Sequence, residues 1–168
     1  TDVPVQIGIA HWSPAEGLGE TFCSYLATDR PITWAARKVH GITPAELAGA
    51  PSLLSLWPEI RRLLAGRVLV AHGHGTEKRF LRAFPGHPFG PWIDTLLLFR
   101  AAWPDCDDHS LGALCRRFGV DNSGREKHGA LLDCELLAEV YLELMGGRQH
   151  GLTLDAGPLL RGQLLIKE

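Results

Sequence analysis

The chain has 168 residues, 45% of them hydrophobic and 21% charged, a composition that fits one folded domain and excludes a disordered or collagen-like chain. Its 17 basic and 19 acidic side chains leave a formal net charge of −2 at pH 7. That balance excludes nucleic-acid binding by bulk positive charge, so any such partner has to be gripped locally.

Residues 5–10 and 21–26 alternate apolar with small or polar side chains on either side of a turn region at 14–19, which predicts a β-hairpin. Beyond Pro31 and a turn at His40 and Gly41, residues 51–65 carry Leu53, Leu56, Trp57, Ile60 and Leu63 at helical spacing and stop at Gly66. Pro58 is expected to bend that helix or to mark its true start. A short apolar run over 67–71 leads through Gly73 and Gly75 into a helical pattern from Thr76, and a strand running into a helix marks an α/β chain. Further helical patterns cover 94–102, 110–118, closed by Gly119, and 130–144, closed by Gly146 and Gly147. The composition then changes, and two segments follow: a domain over 1–147 and a C-terminal tail over 148–168.

No apolar run reaches the roughly 18 residues of a membrane span, since the longest candidate, 63–71, is broken by Gly66 and Arg67. No membrane partner is expected. The first residues lack the order of a signal peptide, and there is no initiating Met, so the beginning of the protein is expected to lie upstream of Thr1. Cys23, Cys106, Cys115 and Cys134 stand far apart with no Cys-x-x-Cys pair, which fits a reducing cytoplasm.

Three acids fall on apolar helical faces. Glu77 shares its face with Phe80, Leu81 and Phe84, Asp94 with Leu97, Leu98 and Ala101, and Asp133 with Leu136, Leu137 and Val140. A carboxylate held away from water costs several kcal/mol unless a cation or hydrogen-bond donors compensate it. For Glu77 and Asp94, in first turns, the helix dipole supplies about 0.3–1 kcal/mol of that compensation. Asp133 lies about a turn inside its helix, and His128 precedes it by five residues. Five residues rotate a helix by about 140°, which puts His128 in the preceding loop, where an imidazole can serve as general base beside a metal held by Asp133. A zinc site of His72 and His74 with Cys106 or His109 lacks a closed four-ligand pattern. The stretch from Gly73 to Lys78 does not match a nucleotide-phosphate loop.

Residues 121–123 followed by 128–133 and 137–142 resemble the third exonuclease motif of the DEDDh (DnaQ-like) 3′→5′ exonucleases, the polymerase-proofreading members especially. Val39-His40-Gly41-Ile42-Thr43 is similar to the family's substrate-binding turn, and Ile93-Asp94-Thr95-Leu96 and the stretch from His109 to Cys115 follow in the family's order. The resemblance covers residues 5–147. It implies a ribonuclease-H-like mixed β-sheet flanked by helices, and hydrolysis at the 3′ end of single-stranded nucleic acid, DNA favoured, through two Mg²⁺ or Mn²⁺ ions.

On that resemblance Glu77 and Asp133 are metal ligands, and His128 completes the catalytic set by taking the proton of the attacking water. His40, Gly41 and Ile42 contact the terminal nucleotide, while Asp94 and His72 support the site. A DNA polymerase is the implied protein partner. Two departures bear on this. Glu77 stands where the second motif has Asp, and the first motif, Asp-x-Glu on a strand before residues 5–8, does not occur in the chain. The fold is therefore expected to lack its first central strand and to leave a gap in the sheet. The alternative function is a catalytically impaired nucleic-acid-binding or polymerase-associated module of the same fold.

Overall fold

The alternating segments near the start pair as their pattern predicts. In the computed structural model, which describes residues 3–84, 86, 90–124 and 129–147, β1 (Gln6–Ser13) and β2 (Gly17–Tyr25) form an antiparallel hairpin. The strands run further than the sequence suggests, because Trp12 and Ser13 pair with Leu18 and Gly17 and leave only residues 14–16 for the turn. The register shifts between Ala10 and Trp12, a bulge that keeps the turn-proximal end paired.

Strand alternation then sends the hairpin's two faces to different helices. The Trp12 ring meets Tyr141 edge-on at 5.7 Å. His11 reaches the other way, its Nε2 2.8 Å from the Leu63 carbonyl oxygen of helix α2. Helix α1 (Trp34–His40) went unrecognised in the sequence because seven residues carry too little periodicity. Its signals are local: Thr33 accepts from the Ala36 N–H, and Gly41 at φ 73° ends it. Helix α2 (Leu53–Leu64) starts after Ser52, so Pro58 lies within it and does not mark its start. The carbonyl that Pro58 leaves without an N–H belongs to Leu54, an exposed residue whose carbonyl water can serve.

Strands β3 (Leu69–Ala71) and β4 (Trp92–Asp94) pair in parallel, with Leu69 opposite Trp92 and Ala71 opposite Asp94. Between them lies helix α3 (Gly75–Leu81), and helix α4 (Thr95–Ala102) follows β4 directly. Helices α5 (Leu111–Phe118) and α6 (Ala130–Leu144) follow as their periodicity predicts. The main core lies among α4, α5 and α6, where Phe99, Leu114, Cys115 and Val140 are at most 1% exposed. Residues 148–168, the expected tail, lie outside the described residues.

Among the described residues the sheet is in two pieces, β1–β2 and β3–β4. Among the described residues β1 and β3 each have an unpaired edge, and a cavity of about 1100 Å³ lined by β1, β3, α3 and α6 lies between the pieces. A strand spaced about 4.8 Å from its neighbours, rising about 3.3 Å per residue between layers about 10 Å apart, occupies about 160 Å³ per residue. The cavity therefore has room for roughly seven residues of one strand, the gap expected from the sequence.

One close approach fixes α6 against the hairpin. A Cβ at Gly8 would sit 2.5 Å from the Ala130 carbonyl carbon and 2.7 Å from the Leu131 nitrogen. Around it Gln6 Oε1 accepts from the Ala130 N–H at 3.1 Å, and the Cys134 thiol donates to the Gly8 carbonyl at 3.4 Å. Gly8→Ala is expected to destabilise the protein by about 1–3 kcal/mol, the range for overpacking. Gly19→Ala, whose Cβ would meet its nearest neighbour at 3.7 Å, serves as the control, and urea unfolding of the two variants checks the difference.

Candidate active site

Glu77 and Asp133, 56 positions apart in sequence, line the same cavity from α3 and α6. Each arrives there for a local reason. Asp133 sits in the first turn of α6, where its N–H donates to the Gly129 carbonyl at 2.9 Å. The clamp of Gln6 and Gly8 on Ala130 sets the height of that turn against β1. Glu77 lies in the first turn of α3, which begins directly after the glycine-rich turn at residues 73–75. Its side chain is open to the cavity yet crowded enough by protein that burial pushes its carboxyl above the usual range. Nearby His74 pulls the other way and Asp94 adds to the rise. Burial also pushes the Cys134 thiol up to about 12, with Asp133 and Glu77 both contributing, so these acids share one electrostatic environment.

Asp94 corrects the sequence-based expectation. It does not occupy an apolar helical stripe: it ends β4 and caps α4. Its carboxylate accepts from the N–H groups of Gly73 at 2.9 Å, His74 at 3.2 Å, Leu96 at 2.9 Å and Leu97 at 3.4 Å. The turn can present two of these donors because Gly73 takes φ 86°, a conformation costly for most other side chains. With the side chain 8% exposed, burial opposes the charge, but the four backbone donors outweigh it and hold the pKa below its ordinary value. Asp94 is thus a knot tying β4, α4 and the turn ahead of Glu77.

His72 ties the same region from behind. Its Nε2 lies 2.8 Å from the His109 carbonyl oxygen and its Nδ1 3.0 Å from Thr95 Oγ1, while His109 Nε2 lies 2.9 Å from the Trp103 carbonyl oxygen. These contacts engage the ring nitrogens a zinc site needs, and among the described residues no group of three or more His, Cys, Asp or Glu could hold a metal. His74, a candidate zinc ligand from the sequence, has other partners: Lys78 Nζ lies 3.1 Å from His74 Nε2, and His74 Nδ1 3.4 Å from Asp94 Oδ2. Gln6 escapes the sequence pattern, because its partner Ala130 lies 124 residues away.

His40, Gly41 and Ile42 do not line the cavity. They form the turn closing α1, with His40 Nδ1 accepting from the Ile42 N–H at 3.0 Å and the Ile42 side chain only 5% exposed. His128 lies outside the described residues, as do Arg125 and Lys127. The donor chemistry at Glu77 and Asp133 fits a hard divalent cation such as Mg²⁺, which is held by one or two carboxylates together with waters and substrate phosphate.

A split sheet flanked by helices, with two carboxylates lining the cavity between its pieces, fits a ribonuclease-H-like nuclease. Residues 1–141 match the RNase_T exonuclease family, and the chain belongs to it as a DnaQ-like 3′→5′ exonuclease. It is 36% identical over 158 residues to the DNA polymerase III subunit epsilon of Rickettsia typhi (strain ATCC VR-144 / Wilmington), covering 89% of this chain and 69% of that one. The same subunit of Escherichia coli (strain K12) is 34% identical over 153 residues, 86% of this chain and 63% of its own. Among solved structures, exonuclease X in complex with 5′ overhanging duplex DNA superposes with a TM-score of 0.68 at 26% identity, covering 84% of this chain and 81% of that one. Exonucleases of this family generally use divalent metal ions. Among the described residues no helix is long and apolar enough to cross a membrane.

Asp94→Ala is expected to cost about 2–3 kcal/mol at neutral pH, from the lost cap and the orphaned Gly73 and His74 donors. A depressed carboxylate stabilises the fold above its unfolded pKa and loses that contribution as pH falls through its folded value. The gap between wild type and variant should accordingly close on the acid side, starting below about pH 4. Urea unfolding as a function of pH checks this, and a pH-independent gap contradicts it.

Proposed function

We propose that the protein removes nucleotides one at a time from the 3′ end of single-stranded DNA, through two divalent ions gathered at the gap in its sheet. The observation carrying this reading is the convergence of Glu77 and Asp133 on one cavity from separate helices. Glu77 and Asp133 would hold one Mg²⁺ or Mn²⁺. Their separate anchoring, on the turn tied by Asp94 and on the clamped start of α6, keeps the two carboxylates in fixed relation. A bound cation of this type neutralises charge on the scissile phosphate and favours deprotonation of water.

His128, two positions before α6 begins at Ala130, takes the proton from the attacking water as general base. Glu77 reaches the position of the family's Asp with one more methylene. Burial raises its pKa, a cost that a bound cation would offset. The turn at His40, Gly41 and Ile42 receives the terminal nucleotide.

The gap has room for an extended segment, and acids on it such as the family's Asp-x-Glu would hold the second ion. The cavity's capacity of roughly seven strand residues supports this. So does Trp92, which lines the gap with a buried indole N–H that has no acceptor among the described residues. By likeness to the epsilon subunits, the protein works beside a DNA polymerase in the cytoplasm.

The test is release of label from a 3′-labelled single strand by the full-length protein with Mg²⁺ or Mn²⁺. Loss of label is expected with wild type and not in EDTA. His128→Ala should slow it by about 10²-fold or more, and Asp133→Ala should abolish the metal response. Strand binding without release of label under these conditions overturns the enzyme reading in favour of an impaired binding module.

A further inference from the structure

Helix α1 turns an uncompensated basic and aromatic face to solvent. Trp34, 75% exposed, is the most exposed of the large apolar side chains among the described residues. Arg37 and Lys38 lie three and four positions on, so helical periodicity puts all three on one face, and Gly41 extends it by another turn. Lys38 Nζ lies 5.3 Å from the Trp34 ring centroid. Some other cations have partners, since Arg62 bridges Glu20 and Glu59, Arg116 meets Asp108, and Arg117 covers Trp103. Arg37 and Lys38 form no ion pair with an acid among the described residues, and α1 itself contains no acid. In a chain of net charge −2, that is a local concentration of positive charge.

The face is also rigidly joined to the turn assigned above to the terminal nucleotide. The Gly41 N–H donates to the Arg37 carbonyl at 2.7 Å, His40 Nδ1 accepts from the Ile42 N–H, and buried Ile42 anchors the turn. Trp34 and Gly41 are about 10 Å apart along the helix axis. We propose that this face of α1 holds the single strand just 5′ of its 3′ end, with Trp34 stacking on a base and Arg37 and Lys38 on phosphates. An open indole face meets a base of any sequence, and the two cations follow a backbone, the combination that binds single strands without sequence preference. The proposal rests on the assignment of residues 40–42 to the 3′ end.

The experiment is fluorescence anisotropy of the full-length protein with labelled dT12 and dT2 in EDTA, where no strand is cut. Trp34→Ala is expected to weaken dT12 about tenfold and dT2 much less, with Trp34→Phe recovering most of the loss. Arg37→Gln with Lys38→Gln should flatten the dependence of log K on log salt by about 1.4, two phosphates at about 0.7 each. Unchanged dT12 affinity and salt slope in these variants overturns the proposal, as does an equal loss for dT2 and dT12 or a wild type that binds both alike. The cleavage assay separates the two readings. Variant effects on binding without any release of label leave this face and remove the nuclease, whereas cleavage with indistinguishable variants removes the face alone.

Discussion

The missing side chain at Gly8 is the constraint on which the site's geometry depends. Because no Cβ stands there, the backbone of β1 comes within contact of the first turn of α6, and Gln6 reaches the helix's otherwise uncapped Ala130 N–H. That fixes where α6 begins, and Asp133, three residues on, has its position decided by a strand at the far end of the chain. The hydrogen bond from the Cys134 thiol to the Gly8 carbonyl closes the contact from the next residue. A helix whose N-cap is a glycine without a capping side chain is held by its neighbour.

The other wall of the gap is organised by a buried charge. Asp94 gathers four backbone donors from two segments, and each donor both lowers the cost of burying the charge and fixes a loop. Gly73 belongs to the same solution, since a residue at φ 86° presents its N–H to the carboxylate with little strain only when it is glycine. His72 then spans β3, α4 and the loop at His109. Glu77 inherits a fixed starting point from this assembly, which lets its longer side chain project from a defined turn.

Periodicity made much of this legible. The bounds of α6 match its pattern over 130–144, and the hairpin's alternation gave its pairing, because both elements bury one face along their full length. Helix α1 and strand β4 were not legible, being seven and three residues long, too short for a period to declare itself. Asp94 was placed on a helical stripe because a strand of three residues running straight into a helix leaves no break in the apolar pattern. Of the site, Glu77 and Asp133 stood out as acids among apolar neighbours. Gln6 did not, since its role comes from a contact with Ala130 that chain order does not encode. Ile42 illustrates the converse, a residue singled out by motif whose side chain is packed in the interior.

The unpaired edges of β1 and β3 have a consequence for handling the molecule. A row of amide and carbonyl groups with no ladder partner accepts any extended chain of suitable register, and neither edge carries a proline within its strand to discourage it. Among the described residues these edges stand open to stray peptides or to the hairpin of a second molecule. Concentrated samples of these residues alone are therefore prone to clump through backbone zippering, and crowding there is a matter of colloidal behaviour as much as of chemistry.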